Sequence, residues 1–110
     1  MKNFMALCSM LLLLNSCSEY QKALKSEDTA KKYAVGTKMY EKGKYSRALR
    51  LFEQIVPSYQ GKPQAEKLFY MYANSFYQEK QYYSAFYQFD KFASTYPRSE
   101  KAEESAYLSA

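Results

Sequence analysis

Two kinds of residue in this chain are equipped for chemistry: a thiol, Cys17, placed three positions after the end of an apolar run, and phenols that recur at helical spacing. A thiol so placed can be acylated, which would tie the chain to lipid. Phenols combine an aromatic face with a hydroxyl tip, and so suit gripping a peptide better than transforming one. Hydrolytic and metal chemistry have little to work with. The sequence contains no His, which removes both the commonest general base and the commonest metal ligand. Glu100, Glu103 and Glu104 cluster near a helix start, where carboxylates complement the positive end of the helix. With no nucleophile set beside a base, no catalytic residue, metal site or cofactor is expected.

The thiol has a specific setting. Phe4 to Leu14 is an apolar run of 11 residues behind a weakly positive start. A spanning helix needs about 17 to 25 apolar residues, so the run reads as the core of an export signal. Leu14-Asn15-Ser16-Cys17 resembles the bacterial lipobox, with an apolar residue three before the cysteine and a small one directly before it. That resemblance implies cleavage ahead of Cys17, a diacylglycerol thioether on its sulfur and a further acyl chain on its amine. Asn15 is a less usual middle residue. Acyl chains contribute roughly 0.8 kcal/mol per buried methylene, and several on one residue make a stable anchor. Cys8 would leave with the signal, so no pair remains for a disulfide. Ser18, in place of Asp, follows the cysteine, which by resemblance to Gram-negative sorting fits delivery to the outer membrane. The expected division is a signal peptide over 1–16 and a lipidated polar tether over 17–27.

The elements that position the phenols are legible as repeats. EKGKYSRALRLF, from Glu41 to Phe52, returns as EKQYYSAFYQF, so that Tyr45, Ala48 and Phe52 recur 37 residues later as Tyr82, Ala85 and Phe89. The same step joins Gly36 to Ala73 and Ala110, and Tyr33 to Tyr70 and Tyr107. A period between about 20 and 50 residues marks a stacked repeat array. The fold class is therefore all-α, a solenoid of helical hairpins. Ser26 can cap a first helix running to about Lys42, where Gly43 supplies a left-handed stop. A second helix runs from Tyr45 to about Tyr59, with Pro57 straining or ending its last turn. The third covers about Pro63 to Lys80, with Pro63 at its first position, and the fourth about Tyr82 to Tyr96, ended by Pro97. Lys80 occupies the place of Gly43, so either a non-glycine residue takes a positive φ there or the turn differs. Ser99 and Glu100 open a fifth helix. The repeats are bounded at 28–61 and 62–98, with the start of a third at 99–110; the missing polar cap marks a piece of a longer protein.

Each unit resembles a tetratricopeptide repeat, whose small and aromatic positions are met by Gly36, Met39, Ala48 and Phe52, then by Ala73, Phe76, Ala85 and Phe89. Small residues let helices approach, and the phenylalanines fill the angle between them. The period is 37 where the family has 34, and the family's tryptophan at the fourth position is replaced by Lys32 and Phe69. The resemblance implies an inner surface lined by the first helix of each pair, here through Tyr33, Thr37 and Tyr40, then Lys67, Tyr70, Asn74, Tyr77 and Gln78, with Tyr107 continuing the row. Such a row can stack on a peptide's apolar side chains while Thr37 and Asn74 bond its backbone. Val35, Met39, Ile55, Phe69, Phe76 and Phe92 are expected to be core.

The lipobox, the tether beginning C-S-E-Y-Q-K and the tyrosine-rich repeats together are similar to the BamD family of lipoproteins of the outer-membrane β-barrel assembly machinery. The likeness is most specific over SEYQKALKSEDTAKKYAVGTKMYEKGKYSRAL. It implies a non-enzymatic scaffold, lipid-anchored on the periplasmic side of the outer membrane. The first repeats would receive the carboxy-terminal signal of unfolded outer-membrane proteins, and later ones would dock on the barrel-forming subunit beside other assembly lipoproteins. The alternative is another periplasmic repeat lipoprotein acting as an adaptor in cell-envelope organisation. The formal charge is +5, but Lys and Glu are interspersed, so no nucleic-acid partner is expected.

Overall fold

The computed structural model describes residues 18–109. The signal run, Cys17 and Ala110 lie outside those residues. Among the described residues there are six helices and no strand: α1 (18–25), α2 (Thr29–Glu41), α3 (Tyr45–Tyr59), α4 (Ala65–Gln78), α5 (Tyr82–Thr95) and α6 (Ala102–Ser109). α2 packs on α3 and α4 on α5, while α3 meets α4 and α5 meets α6. α2 also touches α4, so the first helices of successive pairs stand side by side. The result is a stack of helical hairpins.

The hairpin turns explain the repeat at the level of the backbone. After α2, Gly43 adopts φ +76°; its N–H donates to Tyr40 O at 3.0 Å, and the Lys44 N–H donates to Met39 O at 2.8 Å. This pair of bonds closes the helix end around a left-handed residue. After α4 the same bonds recur, Lys80 N–H to Tyr77 O at 3.0 Å and Gln81 N–H to Phe76 O at 2.9 Å. Lys80 takes φ 62°. Of the two outcomes left open by the sequence, the turn geometry is kept and the lysine adopts the glycine's conformation, at a typical cost of about 1 to 2 kcal/mol.

Between α2 and α3 the helices approach closely because Gly36 has no side chain. A Cβ built there would lie 2.6 Å from Cε1 of Phe52, whose ring is fully buried. Phe52, Ala48, Ile55, Val35 and Met39 form one apolar cluster, joined by Ala65, Leu68 and Met71 of the next pair. Ala73, Phe76, Ala85 and Phe89 form a second with Leu49. Neither hairpin could enclose these side chains alone, so the neighbouring pair completes each cluster. Of the expected core, Val35, Met39, Ile55, Phe76 and Phe92 are buried, whereas Phe69 is half-buried and tilted against Tyr96.

Several local expectations are corrected. The cap of α2 is Asp28 and not Ser26: Asp28 Oδ1 accepts from Ala30 N at 3.0 Å and Lys31 N at 3.4 Å, while Ser26 Oγ accepts from Asp28 N at 3.0 Å. The reason is that residues 18–25, read as tether, are helical and occupy the chain up to Lys25. Pro63 sits in the turn before α4 and not at its first position, since Gln64 is the cap. Pro57 lies inside α3, and two further residues stay helical after it.

α1 is held by side chains of the first hairpin. Tyr20 and Ala23 are buried against the first cluster, and the Arg47 guanidinium lies 5.5 Å from the Tyr20 ring centroid. Lys38 Nζ pairs with Glu19 Oε2 at 3.1 Å. At the other end, the buried Lys32 ammonium donates to Ala23 O at 3.0 Å, to Leu24 O at 2.9 Å and to Gln54 Oε1. All three of its protons are thereby used, two of them on the negative end of α1.

Candidate functional site

The phenols of α2 and α4 gather with α6 along the first-helix face. Tyr40 and Asn74 meet where α2 crosses to α4, Asn74 Nδ2 donating to Tyr40 Oη at 2.7 Å. Between α4 and α6, Tyr70 Oη donates to Glu104 Oε2 at 3.4 Å. Each bonded pair is separated by 34 residues, one turn short of the 37-residue repeat. The first bond spans helices that touch, α2 and α4, whereas the second is made by side chains reaching between α4 and α6, whose backbones do not meet. Glu104 is the residue this reading missed. From the sequence it is expected only to complement a helix end, and no pattern in the sequence links it to Tyr70.

Tyr70 is the centre of the face. Its ring stands edge-on to Phe89 and Phe92, with centroids 6.0 and 5.7 Å away, and Lys101 Nζ lies 5.2 Å from its own centroid. Lys101 also pairs with Glu104 at 3.6 Å. Burial, then the Glu104 carboxylate and the Tyr40 phenol, push the Tyr70 hydroxyl up to about 12. The Tyr40 hydroxyl is also raised, by burial first and by Tyr45 and Glu104, with the Asn74 bond opposing. Both groups are therefore neutral hydrogen-bonding tips at physiological pH. Tyr77 continues the row, edge-on to Tyr82 at 5.5 Å and to Phe89 at 6.4 Å. Beside Tyr70 opens a cleft of about 320 Å³, with Pro63 and Phe92 among its walls and Lys67, Lys101 and Glu66 at its rim.

Tyr33 stands apart from this row. It stacks on Tyr59 of α3 at 5.4 Å and 27°, and burial followed by Tyr59 raises its hydroxyl. Thr37 Oγ1 donates to Tyr33 O at 2.8 Å, so its proton is used within α2 and its oxygen is left to accept. Asn74 has spent one amide proton on Tyr40 and retains its second proton and its carbonyl. Of the repeat residues, Gly36 lies against Phe52, Ala48 shares the first cluster with Phe52, and Ala73, Ala85 and Phe89 share the second. Among the described residues no group of three His, Cys, Asp or Glu is placed to hold a metal ion, and no helix is long and apolar enough to cross a membrane.

The described residues thus form a stack of helical hairpins with a row of phenols along the first-helix face. The family of outer-membrane lipoproteins named YfiO matches residues 25–110, and the chain belongs to it. A protein of Aquifex aeolicus (strain VF5), assigned as outer membrane protein assembly factor BamD, is 31% identical over 105 residues, which cover 89% of this chain and 33% of that protein. The chain thus spans about a third of the length of this curated relative. No solved structure matches it.

Proposed function

We propose that this chain is a non-enzymatic scaffold of tetratricopeptide type, anchored through acylated Cys17 to the periplasmic side of the outer membrane, and that it works in the assembly of β-barrel proteins there. Its clients on this reading are unfolded outer-membrane proteins, held by their carboxy-terminal segments along Tyr40, Tyr70, Asn74 and Tyr77. The barrel-forming subunit and other assembly lipoproteins are its partners. The family membership supports the setting, and so does the assembly role named for the Aquifex relative. The observation that carries the mode of binding is the row of half-buried phenols along α2 and α4, in which Tyr40 Oη keeps its proton to donate and Tyr70 Oη its oxygen to accept from a peptide backbone.

Changing Tyr70→Ala together with Tyr77→Ala tests this directly. A well-packed aromatic anchor contributes about 2 kcal/mol or more to an interface, so binding of a carboxy-terminal peptide from an outer-membrane β-barrel protein should weaken by tenfold or more. Unchanged affinity in a variant that still melts cooperatively would refute the assignment of the face. For the anchor, Cys17→Ala should abolish labelling by radioactive palmitate and leave an unprocessed or soluble chain. Undiminished labelling would remove Cys17 from the account.

A further inference from the structure

The hairpin-tip edge of the stack carries an unassigned basic and aromatic surface. The turns α2–α3 and α4–α5 lie together there, since Gly43, Lys44 and Glu79 border one shallow depression. Lys42, Lys44 and Lys80 are exposed on these turns, against Glu41 and Glu79. Tyr82 and Tyr83 follow at the start of α5, the second 92% exposed, and Tyr82 stacks on Phe86 at 6.1 Å. Tyrosines beside lysines are the composition of a surface that rests at a membrane–water boundary.

The direction of α1 brings the anchor to this same edge. Glu19 reaches Lys38 near the end of α2, and Tyr20 reaches Arg47 near the start of α3, so the first residues of α1 lie at tip level. Its last carbonyls, by contrast, are clamped by Lys32 from the first turn of α2. Cys17 is one peptide unit, about 3.8 Å, before Ser18. A docked helix in place of a loose tether brings Ser18, the residue covalently next to the cysteine, to the level of the hairpin tips.

We propose that the hairpin-tip edge, through Lys42, Lys44, Lys80, Tyr82 and Tyr83, lies against an anionic phospholipid surface, so that the chain is held by its acyl anchor in one fixed orientation. The proposal rests on acylation of Cys17. Each lysine near such a surface contributes about 1 kcal/mol, offset in part by Glu41 and Glu79 and supplemented by Arg47, a modest sum that orients a chain whose anchor already supplies attachment. The first-helix face then stands edge-on to the bilayer and open to the periplasm.

The test uses the acylated full chain in vesicles of phosphatidylglycerol and phosphatidylcholine. Single spin labels are placed at Gln81→Cys on the tip edge and at Gln60→Cys on the α3–α4 turn at the opposite edge; both positions are exposed and belong to neither the lysines nor the tyrosines named. The label at 81 should be shielded several-fold from a water-soluble relaxation agent and the label at 60 should not be. Substituting Lys42→Glu, Lys44→Glu and Lys80→Glu together should abolish that difference while the chain still floats with the vesicles. A floating chain whose two labels are equally wet, or one shielded at 81 only when a protein partner is added, would overturn the lipid-facing assignment alone. A chain that does not float would overturn the anchor as well.

Discussion

Gly36→Ala puts the helix-crossing geometry to a test in which two effects of opposite sign compete. In an ordinary helix interior, replacing glycine by alanine stabilises by roughly 0.8 to 1 kcal/mol. Here the added Cβ would lie 2.6 Å from Cε1 and 3.0 Å from Cδ1 of Phe52. Carbon atoms rest at about 3.5 to 4.0 Å, so the ring must retreat by about 1 Å. Phe52 is fully buried among Val35, Met39, Ala48 and Ile55, and has nowhere to go without moving α3. Overpacking of this kind typically costs about 1 to 3 kcal/mol. The net expectation is a loss of up to about 2 kcal/mol, and each kcal/mol lowers the melting temperature of a domain this size by about 4 to 8 °C. Thermal melts followed by helical circular dichroism measure it. Phe52→Leu supplies the internal control. With the ring edge gone, Gly36→Ala should change sign and stabilise the Phe52→Leu chain. Stabilisation of the parent chain by the full helix-propensity amount would refute the close approach.

Three further outcomes follow from the same coordinates. Lys80→Gly should stabilise by about 1 kcal/mol, because the left-handed residue after α4 then carries no side-chain penalty, and a melting temperature unchanged or lowered would speak against the repeated turn. Lys32→Ala strips the last carbonyls of α1 of their donor, a loss of about 1 to 3 kcal/mol that should appear as faster amide exchange over residues 18–25 with little change in α4 and α5. The raised Tyr70 hydroxyl sits at about 12 in the folded chain against an ordinary 10.0, so its contribution to stability is fully present below about pH 10 and is lost as pH rises through about 12. Ultraviolet titration should show several late phenols, the last of them moved down by Glu104→Gln; no change in that variant would remove Glu104 from the face.

The parts of the fold that announce themselves in the sequence are those fixed by side-chain size at a constant step. Gly36 and Ala73 against Phe52 and Phe89 give the crossing of each pair, and Lys80 in the place of Gly43 exposes a backbone demand that the residue type alone conceals. Tyr40, Tyr70 and Tyr77 come from the inner positions that the repeat resemblance implies. What stayed hidden depends on contacts between separate helices. Residues 18–25 are too few for a hydrophobic period, and so short a helix is stabilised by docking more than by propensity. Lysine is among the residues least often buried, so nothing marked Lys32 as a clamp until the ends of α1 were found against it. Ser26 and Asp28 are equally good caps by type; the end of α1 decides between them. Glu104 joins Tyr70 only because α6, packed on α5, brings its side chain within reach of α4.

The claim on which the functional account turns is that the phenol row of the first helices, and not the outer aromatic side of α5, holds the client. Photo-crosslinking separates the two most directly, with a benzophenone amino acid placed in one chain at Tyr77 and in another at Tyr87, which is 63% exposed on α5. The account predicts that a carboxy-terminal peptide of an outer-membrane β-barrel protein is captured from position 77 and not from position 87. Capture from position 87 alone, or equally from both, would contradict it.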